Sequence, residues 1–105
     1  MSHDHPSVAV IIHTVASVCG VTALDVRSDR RQARVVLARH TGMWLARNYT
    51  PLSYPAIGRA FGDRDHSTVM YAVRHIERAM EDDPAFGAQV RELARLFGAG
   101  ENAPT

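Results

Sequence analysis

The sequence predicts an all-α domain of about six helices organised around a helix-turn-helix, and three observations carry that prediction. Apolar residues repeat at three- and four-residue steps, the period of a helix buried along one face: Val8, Ile11, Ile12, Val15 and Val18; Val69, Val73, Ile76 and Met80; Phe86, Val90, Leu93 and Phe97. Capping and stop residues stand where these runs begin or end, and no run alternates with the two-residue period of a strand. A short helical run closes at Phe61-Gly62, turns through Asp63-Arg64 and restarts at Asp65, the local plan of a helix-turn-helix. At 105 residues the chain has room for a single core. Residues 8–97 are expected to form it, with flexible ends over 1–7 and 98–105.

In order, the first helix is expected over Val8 to Val18, with Gly20 as its stop. Thr22 caps a short second helix, Ala23 to Val26, with Asp25 completing an approximate capping box. The loop Arg27-Ser28-Asp29-Arg30-Arg31-Gln32-Ala33-Arg34 is basic and feeds a long helix that runs to about Asn48 or Tyr49. Its core stripe is expected at Val35, Ala38, Gly42, Leu45 and Tyr49, with Trp44 in the core or at its edge. Arg39, His40, Met43 and Arg47 are expected on another side. Pro51 ends this helix, because it donates no amide and restricts the residue before it. Ser53 caps the next short helix, Tyr54 to Phe61, whose Pro55 stands in the first turn where a missing amide is harmless. Gly58 is expected where two helices cross closely. Asp65 caps the following helix, which runs to about Met80. Glu81-Asp82-Asp83-Pro84 breaks the chain before a last helix that closes the core.

Composition narrows the function. All twelve basic residues are arginine, so a phosphate loop of the Gly-x-x-x-x-Gly-Lys type is excluded. Residues 27–78 hold ten arginines against Asp29, Asp63, Asp65 and Glu77, an excess of six positive charges inside a chain of net charge +1. A basic segment of this kind is the footprint of a phosphate-binding surface. Arg39, His40 and Arg47 would share a helix face suited to following a DNA backbone. The single cysteine, Cys19, is expected as an inert buried thiol. No apolar run approaches the roughly 18 residues of a membrane span. The N-terminus lacks a basic n-region and a secretory cleavage site, so a cytoplasmic, nucleoid-associated protein is expected.

The decisive stretch is Gly62-Asp63-Arg64-Asp65-His66-Ser67-Thr68-Val69. It places short hydrogen-bonding side chains at the exposed N-terminus of a helix whose other face is apolar, an arrangement suited to the floor of a major groove. Together with Tyr54-Pro55-Ala56-Ile57-Gly58-Arg59-Ala60-Phe61, it resembles the signature of the C-terminal DNA-binding domain of the bacterial replication initiator DnaA. That family carries Leu-Pro-Glu-Ile-Gly-x-x-Phe followed by Gly-Gly-Arg-Asp-His-Thr-Thr-Val. The likeness continues through Val73-Arg74-His75-Ile76-Glu77 and reaches back to Val8. It implies a Trp-repressor-like fold and binding to asymmetric DNA boxes of the type TTATNCACA.

By position, the resemblance implies that Asp65, His66 and Ser67 meet base edges in the major groove, with Tyr54 and Pro55 against thymine methyls. Arg31 matches the arginine that enters the adjacent minor groove. Arg39, His40, Arg47, Ser53, Arg64 and Thr68 would hold phosphates, fixing register without reading sequence. Departures from the family are Leu37-Ala38-Arg39-His40 for Arg-Pro-Arg-Gln, Asp29 for a basic residue, Tyr54 for leucine and Ser67 for threonine. The sequence has no counterpart of the nucleotide-binding motor domain, so the chain alone is expected to occupy sites, in replication or transcription control, rather than to melt origins. Met1 and an untagged N-terminus favour a stand-alone protein over a fragment of a larger initiator.

Rival readings are weaker. Asp65, His66 and Ser67 have the residue types of a hydrolase triad, but consecutive helical residues point about 100° apart and cannot align a nucleophile with its base. His40, His66 and His75 have no helical i, i+4 pairing for a metal. A protein-interaction module, or a ligand-responsive helix-turn-helix repressor, would not need the groove tip and the basic loop together. The expectation is a monomer that binds double-stranded DNA, with no catalytic residues, nucleotide, metal or other cofactor, and no membrane association.

Overall fold

Helix α1 (Val8–Cys19) starts at Ser7, whose hydroxyl accepts from the Val10 amide, and stops at Gly20 in the left-handed region. The computed structural model describes residues 5–98. Of the expected flexible ends, residues 1–4 and 99–105 lie outside the described residues. α2 (Ala23–Arg27) carries a full capping box: the Thr22 hydroxyl accepts from the Asp25 amide at 3.0 Å, and the Asp25 carboxylate accepts from the Thr22 amide at 3.1 Å. An irregular loop, residues 28–32, leads into α3 (Ala33–Tyr49). α4 (Tyr54–Ala60) is capped by Ser53 with Pro55 in its first turn, and α5 (His66–Asp82) is capped by Asp65. α6 (Pro84–Gly98) follows after one residue, Asp83, whose Oδ1 accepts from the Phe86 amide at 3.2 Å. No strand occurs among the described residues.

α3 is the central strut. It packs against α1 on one side and α5 on another, with α2, α4 and α6 touching it as well. The core between them holds Ile11, Ile12, Val15, Val26, Met43, Leu45, Ile57, Phe61, Val69 and Val73. Phe61 is fully buried at the end of α4. Burying a side chain of that size stabilises by about 1.5–3 kcal/mol, so α4 is anchored by the residue at its C-cap although it is only two turns long.

Several positions differ from expectation. Val18 is 65% exposed, because the buried face of α1 centres on Ile11, Ile12, Val15 and Ala16 and leaves Val18 at its rim in the last turn. Met43 is fully buried, because α3 is covered on more than one side. Tyr49, expected in the core stripe, is half-buried at the core edge, where Trp44 also lies, one of its two expected placements. Cys19 is half-buried as well, with burial pushing its thiol pKa upward. Gly98 is helical and buried against the Tyr49 ring, one residue past the expected end of the domain.

The helix-turn-helix is made by α4, the turn at 61–65 and α5. Gly62 and Asp63 both have positive φ, 94° and 60°, which reverses the chain in two residues. The returning Arg64 amide donates to the Gly58 carbonyl at 2.8 Å. This draws the Arg64 carbonyl so close that a Cβ on Gly58 would lie 2.0 Å from its oxygen. Gly58 is thus small because the turn folds back upon α4, with α5 entering only through Val69. Gly58→Ala is expected to destabilise the domain by about 1–3 kcal/mol, the usual result of overpacking. Urea or thermal melts measure this; an unchanged midpoint would mean that the turn does not approach α4 so closely.

Candidate nucleic-acid interface

The tip of α5 is built by Asp65. Its Oδ2 accepts from the Ser67 amide at 3.0 Å and from the Ser67 hydroxyl, while Oδ1 lies 3.8 Å from His66 Nδ1. The Ser67 hydroxyl, then its amide, hold the Asp65 carboxyl below the usual carboxylate pKa. Asp65, His66, Ser67 and Thr68 are all exposed, and Val69, Ala72, Val73 and Ile76 bury the opposite face of the helix. The tip therefore offers an anionic acceptor, an imidazole and two hydroxyl groups on an anchored support.

Beside it runs an open groove of about 720 Å³ between the 28–32 loop, α3 and α5. Arg31, Arg64, Thr68 and Tyr71 line it, with Asp29 at its rim. Arg31 is exposed. The groove thus brings the expected minor-groove arginine next to the α5 tip. At the N-terminal end of α4, the Arg47 guanidinium lies over the Tyr54 ring, 4.3 Å from its centroid. Stacking of this kind holds the cation in place while its edge stays available for a phosphate. Ser53 Oγ accepts from the Ala56 amide at 3.2 Å, which leaves its hydroxyl hydrogen to donate outward. Pro55 is exposed next to it.

Two of the expected phosphate ligands have other surroundings. Arg39 is 6% exposed. Its Nε donates to the Val26 carbonyl at 2.9 Å, and its Nη2 to the carbonyls of Asp25, Ser28 and Arg30 at 3.2, 2.9 and 3.0 Å. A guanidinium so engaged is largely turned into the protein, although Arg39 still lines the groove. His40 is half-buried, its ring edge-on to His75 at 5.5 Å and to Tyr71 at 6.3 Å. Burial first, then His75, Arg39 and Arg64, lower its pKa to about 4. His40 is therefore neutral at pH 7 and can offer a phosphate only an uncharged N–H. Arg64 is half-buried and donates to the Phe61 carbonyl and, at 2.6 Å, to that of Ser28, so part of its fork is already occupied.

Sequence reasoning gave no role to Tyr71 and His75. Tyr71 is 64% exposed and stacks on His75 with ring centroids 5.9 Å apart, extending the Thr68 side of the α5 tip along the groove. The signal was present in the three- and four-residue steps from Thr68 to Tyr71 to His75. It had no meaning without His40 on the facing helix. No group of three or more potential metal ligands occurs among the described residues, and no helix there is long and apolar enough to cross a membrane.

A family profile described as "Bacterial dnaA protein helix-turn-helix" matches residues 8–76. The chain belongs to the bacterial DnaA family. It is 39% identical over 91 residues to the chromosomal replication initiator protein DnaA of Pelobacter propionicus, which covers 87% of this chain and 20% of that protein. Against the Bartonella quintana DnaA it is 44% identical over 88 residues, covering 84% of this chain and 18% of that protein. The chain thus spans about a fifth of the length of the curated DnaA relatives it matches. The crystal structure of a DNA replication initiation factor superposes with a TM-score of 0.77 at 32% identity, covering 85% of this chain and 27% of that one. The matched segment corresponds to the C-terminal helix-turn-helix of DnaA, and it contains the turn, most of α5 and the 28–32 loop.

The His40 environment fixes a pH dependence. An unfolded imidazole titrates at its ordinary value of 6.5, whereas the folded one titrates at about 4, so the unfolded chain takes up the proton first. Stability from this group is complete above the ordinary value and is lost as pH falls toward the folded one. Melts of wild type and His40→Gln across that window are expected to show the slope in wild type and a flatter profile in the variant. Parallel profiles would place the titration elsewhere.

Proposed function

We propose that this DnaA-type domain binds double-stranded DNA in a sequence-specific manner at DnaA-box-like sites. The observation that carries the reading is the exposed Asp65-His66-Ser67 tip on a helix anchored by buried Val69, Val73 and Ile76. A rigid helix end with mixed donors and acceptors can enter a major groove and hydrogen-bond base edges. Asp65 Oδ1, the oxygen not used for capping, is the acceptor available to a cytosine amino group. Tyr54 and Pro55 lie at the start of α4, where they make apolar contact with thymine methyls. Arg31 enters the adjacent minor groove and reads its A·T character and width. Arg47, Ser53, Thr68 and the free edge of Arg64 hold phosphates and fix the register.

Its role is in the control of replication initiation or transcription, at the nucleoid, by occupying sites that DnaA-type proteins recognise. The domain acts as a monomer and needs no nucleotide for binding. Names of the matched relatives, all chromosomal replication initiators, support the assignment to replication. The basic character of residues 27–78 supports the contact with a polyanion.

Fluorescence anisotropy with a TTATCCACA duplex and a scrambled duplex, at two salt concentrations, tests the proposal. A preference of about a hundredfold for the box is expected, within the range of specific over non-specific binding; equal affinities would refute it. His66→Ala is expected to lose about 1–3 kcal/mol on the box and almost nothing on the scrambled duplex. Arg47→Ala should instead weaken binding to both and reduce the salt slope by about one unit, the signature of one lost phosphate contact. An unchanged slope would remove Arg47 from the phosphate set.

A further inference from the structure

The loop that carries Arg31 is irregular, and five residues without a ladder would ordinarily leave their carbonyls to water. Here the carbonyls are collected from inside. Arg39, rooted in α3, binds those of Ser28 and Arg30 together with those of Asp25 and Val26 at the end of α2. The Ser28 carbonyl accepts a second donor, Arg64 Nη2, and Arg64 Nη1 donates to the Phe61 carbonyl in the turn before α5. One backbone oxygen is thus shared by two guanidinium groups, one from α3 and one from the helix-turn-helix.

Two further contacts close the same seam. Arg27 Nε donates to the Ala60 carbonyl at 3.3 Å. The Arg27 carbonyl lies 2.2 Å from where a Cβ on Gly62 would be, so no side chain fits between the loop and the turn. The basic loop and the turn before the α5 tip form one braced unit.

We propose that Arg39 and Arg64 are positioning residues for DNA recognition. By holding the Ser28 carbonyl between them, they fix the separation of Arg31 from the α5 tip, so that the domain accepts a single spacing between the minor-groove and major-groove segments of its site. This inference rests on the reading of Arg31 and the α5 tip given above. Two like charges converging on one oxygen repel: burial first, then Arg64, lower the Arg39 pKa, while Asp29 opposes them. The arrangement holds because each planar fork spans several carbonyls at once. A lysine would keep the charge but present a single ammonium that cannot span them.

The charge-conserving variants Arg39→Lys and Arg64→Lys test the proposal. Each is titrated, alongside wild type and Arg31→Ala, against the TTATCCACA duplex, a duplex with one base pair inserted after TTAT, and a scrambled duplex. The insertion displaces the two segments by about 3.4 Å and roughly a tenth of a turn. Wild type is expected to lose about tenfold or more on the inserted duplex, the scale of one mismatched position. Both lysine variants are expected to lose no more than about threefold on the inserted duplex relative to the intact box, because a loosened loop follows the shifted segment, and Arg39→Lys is expected to leave binding to the scrambled duplex and the salt slope unchanged. A merely structural role would lower the melting temperature and leave the insertion penalty as it was. Arg64 is only half-buried, so its variant carries the test if Arg39→Lys does not fold. The wild-type penalty persisting in the folded lysine variants, or in Arg31→Ala, would overturn the inference. Equal wild-type binding to the box and the scrambled duplex would instead overturn the DNA-box reading, and the inference with it.

Discussion

A single buried cation, the Arg39 guanidinium, is the interaction on which the half of the molecule built from α2, the 28–32 loop, α3 and the turn before α5 depends. Moving an unpaired charge to 6% exposure would be prohibitive, and no carboxylate among the described residues lies within ion-pair distance of it. Four backbone carbonyls take the place of a counter-ion. They are available because α2 has only five residues and cannot satisfy its own terminal carbonyls, and because the loop after it has no ladder. Two deficits of hydrogen bonding meet one surplus of donors. The result ties α2, the loop and α3 into one piece, and the Ser28 carbonyl extends the tie to Arg64 and the helix-turn-helix.

This explains which parts of the fold were legible in the sequence. Boundaries set by local chemistry are readable residue by residue: Thr22 with Asp25, Ser53 with Pro55, Asp65 before His66, and Gly20 in the left-handed region. The amphipathic helices are readable too, since α5 buries one face and exposes the other. α3 resists that logic. It is enclosed by α1, α5 and parts of three other helices, so Val35, Ala38, Arg39, Thr41, Gly42, Met43, Leu45 and Ala46 are buried around most of its circumference. A helix buried over more than half of its circumference, with Leu37 on its solvent face and Arg39 enclosed, gives a misleading periodic signal for which polar residue faces outward. Hydropathy assigns an arginine to water, and nothing in the local sequence marks one that is solvated by carbonyls.

The same fact revises how the basic segment is read. Counting ten arginines between residues 27 and 78 treats each as a charge offered to a phosphate. In the structure Arg39 is enclosed, Arg64 spends part of its fork on Phe61 and Ser28, Arg27 bonds the Ala60 carbonyl, and Arg30 pairs with Asp25 at 3.3 Å. His40 adds no charge at neutral pH. Part of the positive surplus is therefore spent on bracing, while Arg31 in the groove and Arg47 over Tyr54 remain presented to a ligand and Arg34, Arg59, Arg74 and Arg78 are exposed as well. Charge along the sequence overstates the phosphate-binding surface and understates the order of the loop that carries it.

Asp65 shows the same economy at the other groove element. One carboxylate oxygen caps α5 through the Ser67 amide and hydroxyl, and the other faces His66 at the exposed tip. The depressed pKa keeps this carboxylate charged, which favours the helix N-terminus and leaves a strong acceptor at the exposed tip. Removing Asp65 would therefore remove the cap and the exposed acceptor in one step, whereas His66 makes no capping hydrogen bond. The residues that can be separated experimentally, His66 from Asp65 and Arg31 from Arg39, are pairs in which one member supports and its neighbour is proposed to read. Rigidity set by the supporting member determines how sharply the reading member can discriminate.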